Sequence, residues 1–403
     1  ILGTGMIARA LAVSMQDSRG SQLKAVASRS IEKAEKFSEK YDCSALEGYE
    51  NLFNDIEIDA IYVATPHDSH FDLTLAALKA KKSVLCEKPM TLNSTEAMVL
   101  IEAARENDVL LMEAFMYRTH PQTDKIRELV KEEFKDIPIT IEASFGFSAQ
   151  VPEEHRLVNP ELGGGSIMDI GCYPMSMSRM IVGHQNGKPF SNPVAIEAKG
   201  ELSSRGVDLN ATAELSFDNG SKALISSAIN KTFKNSVLIT NEEKSIYVAE
   251  PWQCGEQNNL QSQIICKRKG REDEVIDFKE EKGVFTYEID HFVSLLNQEK
   301  KQSEKISHAD SHGNMVWLDA WRKNIGVYYS ADNPENRKFS LLGETAIKDR
   351  EPISSTALSG LHWLVVSSSS MEWIGLPPAH GEFSKWRTAL ARSRTASARP
   401  RLH

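Results

Sequence analysis

From Ile1 to about Arg118 short apolar runs alternate with longer amphipathic segments, and no other feature limits the fold of this chain so tightly. Short buried strands separated by helices are the pattern of repeated βαβ units, which build a parallel sheet with helices on both faces. The strand candidates are Ile1-Leu2, 23–27, 60–64, 83–86 and 109–112. Helices are expected over 31–41, 68–81 and 94–107. The last opens on Asn93 or Ser94, whose side-chain oxygen can accept a free N–H of the first turn.

That reading gives the turn after the first run a purpose. Gly3-Thr4-Gly5-Met6-Ile7-Ala8 is a Gly-x-Gly-x-x-Ala sequence between an apolar strand and a helix. The first glycine makes the tight turn, the second lets a diphosphate approach the backbone, and Ala8 lets the helix pack close to the sheet. The helix N-terminus adds free N–H groups and a positive dipole end. The expectation is a Rossmann domain holding a nicotinamide dinucleotide on Gly3, Thr4, Gly5, Met6 and Ile7.

Where an NAD site usually carries an acidic residue, at the end of the second strand, this chain has Ser28-Arg29-Ser30. A guanidinium with two hydroxyls suits a 2′-phosphate, so NADP is expected and NAD is the alternative. Read otherwise, Arg29 is only a solvated loop cation. Thr65, Pro66, His67 and His70 follow another strand and are expected near the nicotinamide ribose. His67 and His70 lack a third ligand of suitable spacing, so no metal site is expected. Only two residues precede the glycine turn, whereas strands usually have about five or six; a first strand truncated at its N-terminus is expected.

After Arg118 the period changes. A helix over 121–134 leads to alternating strands such as 139–147, with a helix-like stretch over 166–182. Asn219-Gly220 between apolar runs signals a two-residue hairpin with both positions at positive φ. Closing helices are expected over 287–297 and 311–329. The organisation is an α/β chain: a dinucleotide-binding domain over 1–118, then a substrate and dimerisation α+β domain with an open, mostly antiparallel sheet over 119–340. Residues 341–403, with a serine run, a Pro-Pro pair and an arginine-rich end, read as a disordered or non-native tail.

Two further clusters carry chemistry. Glu87-Lys88-Pro89 follows a strand at the same carboxyl edge, where a lysine can lie over cofactor and substrate oxygen and stabilise developing negative charge. Downstream of Gly163-Gly164-Gly165, Asp169 and Tyr173 stand four apart and share one face if 166 onward is helical. A tyrosine beside a lysine can take a hydroxyl proton. Taken singly, the first cluster also reads as a surface loop and the second as a packed tyrosine.

A formal charge of -9 opposes a nucleic-acid or anionic-membrane surface, leaving small-molecule chemistry. Five cysteines at wide spacings, with no Cys-x-x-Cys pair, fit a reducing cytoplasm. No run approaches the ~20 apolar residues of a membrane span.

Together the glycine turn, Glu87-Lys88-Pro89, the run from Met112 to Arg118, and Gly163 through Tyr173-Pro174 resemble the Gfo/Idh/MocA oxidoreductase family over roughly residues 1 to 340. The similarity is greatest to the branch of dimeric dihydrodiol dehydrogenases, NADP-dependent D-xylose 1-dehydrogenases and glucose-fructose oxidoreductase. The resemblance implies Lys88 as catalytic lysine, Tyr173 as acid-base residue and Asp169 as orienting substrate. Arg118 and Arg156 are expected to line the pocket, and a homodimer or higher homo-oligomer is expected. Inositol dehydrogenases of the family carry histidine where this chain has Tyr173, which speaks against inositol. The expected activity is NADP-linked hydride exchange with a sugar, polyol or related alcohol. The alternatives are a trans-dihydrodiol dehydrogenase, a non-catalytic NAD(P)-binding regulator and a redox-assisted eliminating glycosidase.

Overall fold

The computed structural model describes residues 1–336, which form one compact unit; the tail expected at 341–403 lies outside them. In the first half, strands β1 (Ala25–Ser28), β2 (Ser44–Glu47), β3 (Ala60–Val63), β4 (Ser83–Glu87) and β5 (Leu111–Ala114) alternate with helices. The helices are α1 (Met6–Asp17), α2 (Ile31–Tyr41), α3 (Glu50–Asn54), α4 (His67–Lys79) and α5 (Ser94–Glu106). α2 and α5 begin where Ser30 accepts from Lys33 N–H and Asn93 from Glu96 N–H.

Leu2 bridges both Ala27 and Val63 in parallel. Its N–H donates to Tyr62 and its carbonyl accepts from Ala64, while Ala27 N–H donates to Ile1 and Gly3 N–H donates to Ala27. Three residues thus join two sheet fragments in the order β2, β1, segment 1–3, β3, β4, β5, all parallel. The order reverses beside that segment, at the carboxyl edge where open α/β sheets bind ligands. The sequence pattern passes over β2 because Ser44–Glu47 is half exposed and carries no apolar run, and over α3 because five residues are too few to display a helical period.

The second half comprises α6 (Pro121–Glu133), β6 (Thr140–Gly146), a π-type turn (Ile167–Gly171), α7 (Cys172–Gln185) and strands β7 (Ala195–Leu202) to β13 (Glu274–Lys279). Between those two strands come β8 (Asp208–Ser216), β9 (Lys222–Ala228), β10 (Ser236–Thr240), β11 (Lys244–Ala249) and β12 (Gln261–Arg268). The eight strands run β13-β12-β11-β10-β6-β9-β8-β7, antiparallel except for β6 beside β9. Ile141 and Ala143 point inward while Thr140 and Glu142 face out, the two-residue alternation of a sheet covered on one side. α7, buried along nearly its whole length, packs on the inner face against β6 and β9.

Two expectations need correction. The β8–β9 hairpin exists, but its loop spans 217–221 and only Gly220, at φ 82°, is left-handed. Gly220 N–H donates to Phe217, and the Asn219 side chain accepts from Ser221 N–H, so this wider turn needs no positive φ at Asn219. The stretch expected as one helix from 166 starts as the π-type turn and becomes α-helical at Cys172.

Helices α8 (Val284–Asn297) and α9 (His308–Asn324) return to the first half. Ser18 Oγ donates to Asp290 at 2.7 Å and Thr286 Oγ1 to the Ser14 carbonyl at 3.3 Å, fastening α8 to α1. Asp319 on α9 accepts from the N–H and hydroxyl of Ser94, at 2.9 and 2.7 Å, at the start of α5. Packing thus crosses the boundary expected at 118.

Candidate active site

Parallel register brings Gly3, Ser28, Thr65 and Glu87 to one edge, because each follows or ends a strand of the same sheet. Gly3 has φ 101°, and a Cβ there would stand 2.7 Å from the Ala64 carbonyl oxygen, so only glycine makes this turn. Gly5 has ordinary φ and nothing within 4 Å of a Cβ position. α1 has no side-chain cap, and its first helical bond runs from Arg9 N–H to Gly5. The N–H groups of the first turn therefore face open space over Gly5, a cradle suited to a diphosphate. Ala8 is fully buried where the helix meets the sheet. Met6 and Arg29 are exposed, Ser28 is buried, and Ser30 caps α2. These residues fit a dinucleotide.

The histidines at this edge differ. His67 Nδ1–H donates to the Gly163 carbonyl at 3.0 Å, and burial, reinforced by His70, pushes its pKa down to about 3. His67 is neutral, and its bond ties α4 to the glycine-rich loop. His70 is fully buried with Nδ1 2.9 Å from the Pro89 carbonyl and Nε2 2.8 Å from the Thr65 carbonyl. Both ring nitrogens face backbone carbonyls inside the fold, and the neutral ring donates its single N–H to one of them, which corrects its assignment as a cofactor contact: it packs between the Thr65 loop and the Lys88-Pro89 turn. Burial lowers its pKa, and the two carbonyls pull the other way. Thr65 Oγ1 accepts from Ser69 at 2.8 Å, and Pro66 stands at the N-cap of α4.

Lys88 is the centre of the site. Its Nζ donates to the Asp169 carbonyl at 2.7 Å and lies 5.0 Å from the centroid of the Tyr173 ring. The Asp169 carboxylate is a separate anchor, accepting from Arg156 Nη1 at 2.8 Å. Burial alone would raise the Asp169 pKa, but Lys88 and Arg156 outweigh it and hold the carboxyl below its ordinary value. Glu87 turns inward and accepts from Tyr62 Oη, so its carboxylate faces the sheet interior rather than a cofactor. Burial raises its pKa while Lys88 opposes the rise.

Tyr173, on the first turn of α7, is ringed by Phe145 at 5.3 Å, Phe115 at 5.4 Å, Tyr117 at 5.7 Å and Trp252 at 5.8 Å between centroids. Burial, then the nearby Cys172, Glu87 and Glu288, raises its pKa well above 10, so the phenol keeps its proton. Trp252 is locked by its Nε1–H on the Ser144 carbonyl at 3.0 Å.

Arg118 is 1% exposed, and its guanidinium donates to Ser176, the Lys305 carbonyl and Asp310 at 2.7–2.8 Å. That corrects its place in the pocket: it is a buried tie between α7 and α9. Arg156, half exposed, reaches Asp169 from the solvent side of the loop.

Sequence reasoning missed the aromatic ring and the buried acid Glu288. Phe145 and Trp252 belong to a strand and a loop more than 100 residues apart and share no local pattern. Glu288 is fully buried, neither oxygen has a hydrogen-bond partner among the described residues, and burial followed by Glu87 raises its pKa well above 4.5. An acidic residue amid the apolar positions of α8 was the available signal.

A Rossmann sheet with a phosphate cradle at its switch point, and a lysine over a buried tyrosine beside it, define an NAD(P)-dependent oxidoreductase. Residues 1–115 match the model of the oxidoreductase family with an NAD-binding Rossmann fold, and residues 123–247 match the GFO/IDH/MocA C-terminal domain. The chain belongs to the GFO/IDH/MocA oxidoreductase family. It is 32% identical to a trans-1,2-dihydrobenzene-1,2-diol dehydrogenase of Xenopus tropicalis, over 76% of this chain and 91% of that protein. It is 34% identical to a D-xylose 1-dehydrogenase (NADP(+)) of Hypocrea jecorina, over 49% of this chain and 54% of that one. Among solved structures, a 3-ketoreductase from Actinomadura kijaniata in complex with NADP superposes with a TM-score of 0.71 at 24% identity, covering 81% of this chain and 97% of its own; it shares the fold.

Proposed function

We propose that this protein is an NADP-dependent dehydrogenase acting on a hydroxyl of a sugar, polyol or related diol. The observation that carries the reading is the Lys88 ammonium held between the Asp169 carbonyl and the face of Tyr173. A bound nicotinamide supplies the two-electron acceptor. Gly3, Thr4, Gly5, Met6 and Ile7 would hold the diphosphate, with Thr65, Pro66 and His67 bordering the ribose. Arg29, exposed beside the buried Ser28 with no carboxylate at the end of β1, would bind the 2′-phosphate. The NADP named in the D-xylose relative and in the ketoreductase structure supports this preference.

Lys88 places a fixed positive charge where the alcohol oxygen gains negative charge. Tyr173 moves the proton. Its protonated phenol serves carbonyl reduction directly, and for oxidation it must first ionise, which the lysine at its ring favours. Asp169 keeps Lys88 and Arg156 in place and adds a carboxylate for a further substrate hydroxyl.

A second reading, oxidation of a trans-dihydrodiol, draws on the half-exposed Phe145 at the Tyr173 ring and on Phe147, which joins the apolar cluster of Leu157, Ile170 and Ile229. NADPH absorbance during turnover of D-xylose, other aldoses, polyols and trans-dihydrobenzenediol decides between them. The sugar reading expects pentose turnover to exceed that of the diol; the reverse assigns the diol, and no turnover of any alcohol refutes both. Arg29→Asp is expected to weaken NADP about tenfold while sparing NAD.

Exposed Leu224 and Val275 on the eight-stranded sheet support a homodimer through its outer face. The five cysteines, all unpaired, support a reducing cytoplasm. Among the described residues no helix is long and apolar enough to cross a membrane.

A further inference from the structure

The glycine-rich loop leading to Asp169 is clamped from several directions. His67 donates to the Gly163 carbonyl, Tyr329 Oη donates to the Gly164 carbonyl at 2.5 Å, and Gly165 N–H donates to Leu157 at 2.8 Å. Beneath the next two residues lies Asp208, at the start of β8 and fully buried. Its Oδ2 accepts from the Ser166 hydroxyl and from Ile167 N–H, both at 2.7 Å, and Ser166 is also 2.9 Å from Ser227 Oγ on β9. Gly165, at φ 121°, leaves room for this approach; a Cβ there would run into Asp208 Oδ1.

We propose that Asp208 is a positioning residue for Lys88: it fixes the start of the π-type turn, and two residues on the same turn presents the Asp169 carbonyl that receives the lysine. The path is short and continuous. Ile167 N–H is held from below, Asp169 N–H bonds back to Gly165 at 3.1 Å, and the Asp169 carbonyl meets Lys88 Nζ at 2.7 Å. A carboxylate suits the place because the first amides of a turn lack partners of their own and carry partial positive charge. Burial pushes the Asp208 carboxyl up to about 6, while Ser166, Ile167 and the charge of Arg322 pull it down. The fold thus bears the desolvation of an acid that touches neither substrate nor cofactor, and its hydrogen bonds go to the segment that seats the lysine.

The inference rests on Lys88 acting as proposed above, so its test reads the lysine directly. The full-length protein is treated with formaldehyde and cyanoborohydride, and lysine methylation is followed by peptide mass mapping in wild type, Asp208→Asn and Ser166→Ala. Lys88 is expected to react about fivefold faster in D208N, less so in S166A, with exposed Lys24 unchanged as reference. With a substrate from the alcohol panel, kcat is expected to fall about tenfold in D208N while KM and the NADPH dissociation constant stay within about twofold. Lys88 reactivity that stays at the wild-type value in folded D208N, or that rises equally at all lysines, overturns the proposal. If D208N does not fold, unchanged Lys88 reactivity in S166A overturns it. Wild type inactive on every alcohol would remove the functional reading, while the labelling still decides the role of Asp208.

Discussion

The carboxyl edge of the parallel sheet and the inner face of the antiparallel sheet each supply half of one site, by opposite means. At the parallel edge the proposed site residues stand at strand ends: Gly3, Thr65 and Lys88 are placed by backbone that has just left a ladder, and hydrogen bonds to carbonyls and to the Ser69 hydroxyl hold them. At the antiparallel face, Tyr173 is placed by packing, its ring enclosed by Phe145 and Trp252 of that half and by Phe115 and Tyr117, which follow β5. The first half positions charge with hydrogen bonds. The second buries the Tyr173 phenol, the proposed proton carrier, away from water.

The sharpest break of this comparison removes one group from each half. Lys88→Ala is expected to lower kcat/KM by about 10³ or more, through loss of fixed charge. Tyr173→Phe should cost about 10²–10⁴, because the ring still fills its cage and only the proton carrier is lost. Turnover by either variant at the wild-type rate would separate that half from the chemistry.

A smaller effect divides the two glycines of the turn. Gly3→Ala forces a side chain onto the Ala64 carbonyl at φ 101° and should destabilise the fold by on the order of 2 kcal/mol, read as a lowered melting temperature. Gly5→Ala meets open space, so the melting temperature should hold while NADPH binding weakens about tenfold, because a methyl group enters the phosphate cradle. Equal melting temperatures for both variants would contradict the geometry of the turn.

The mildest test lies where the halves meet, at Glu288 beside Glu87. Its folded pKa is raised, so the native state keeps a proton that the unfolded chain releases above about 4.5. Its contribution to stability is complete below that pH and is lost as pH rises toward the raised value. Glu288→Gln should therefore flatten the fall of melting temperature with rising pH and exceed wild type at neutral pH. An unchanged slope would place an ionised Glu288 in the native protein.

The halves also differ in how much of them the sequence discloses. The glycine turn, Ser28-Arg29-Ser30 and Glu87-Lys88-Pro89 are legible because strand ends are marked by glycine, proline and polar residues immediately after an apolar run. Lys88 and Tyr173 are legible as a pair only through the order in which their motifs arrive. The aromatic cage is not legible, since Trp252 lies in a loop far along the chain from Tyr173 and shares no local pattern with it. Arg118 and His70 mislead for one reason: a polar residue near a motif looks functional until its partners are known, and theirs are Asp310 and two carbonyls.

The bond between Ser18 and Asp290 closes a loop of 272 residues. On a ribosome adding about 5–20 residues per second, α1 would wait roughly 15–55 seconds for the helix that covers it. Through that interval the nucleotide half is a nascent chain with an uncovered flank, so its packing against α8 comes long after its own strands have been made.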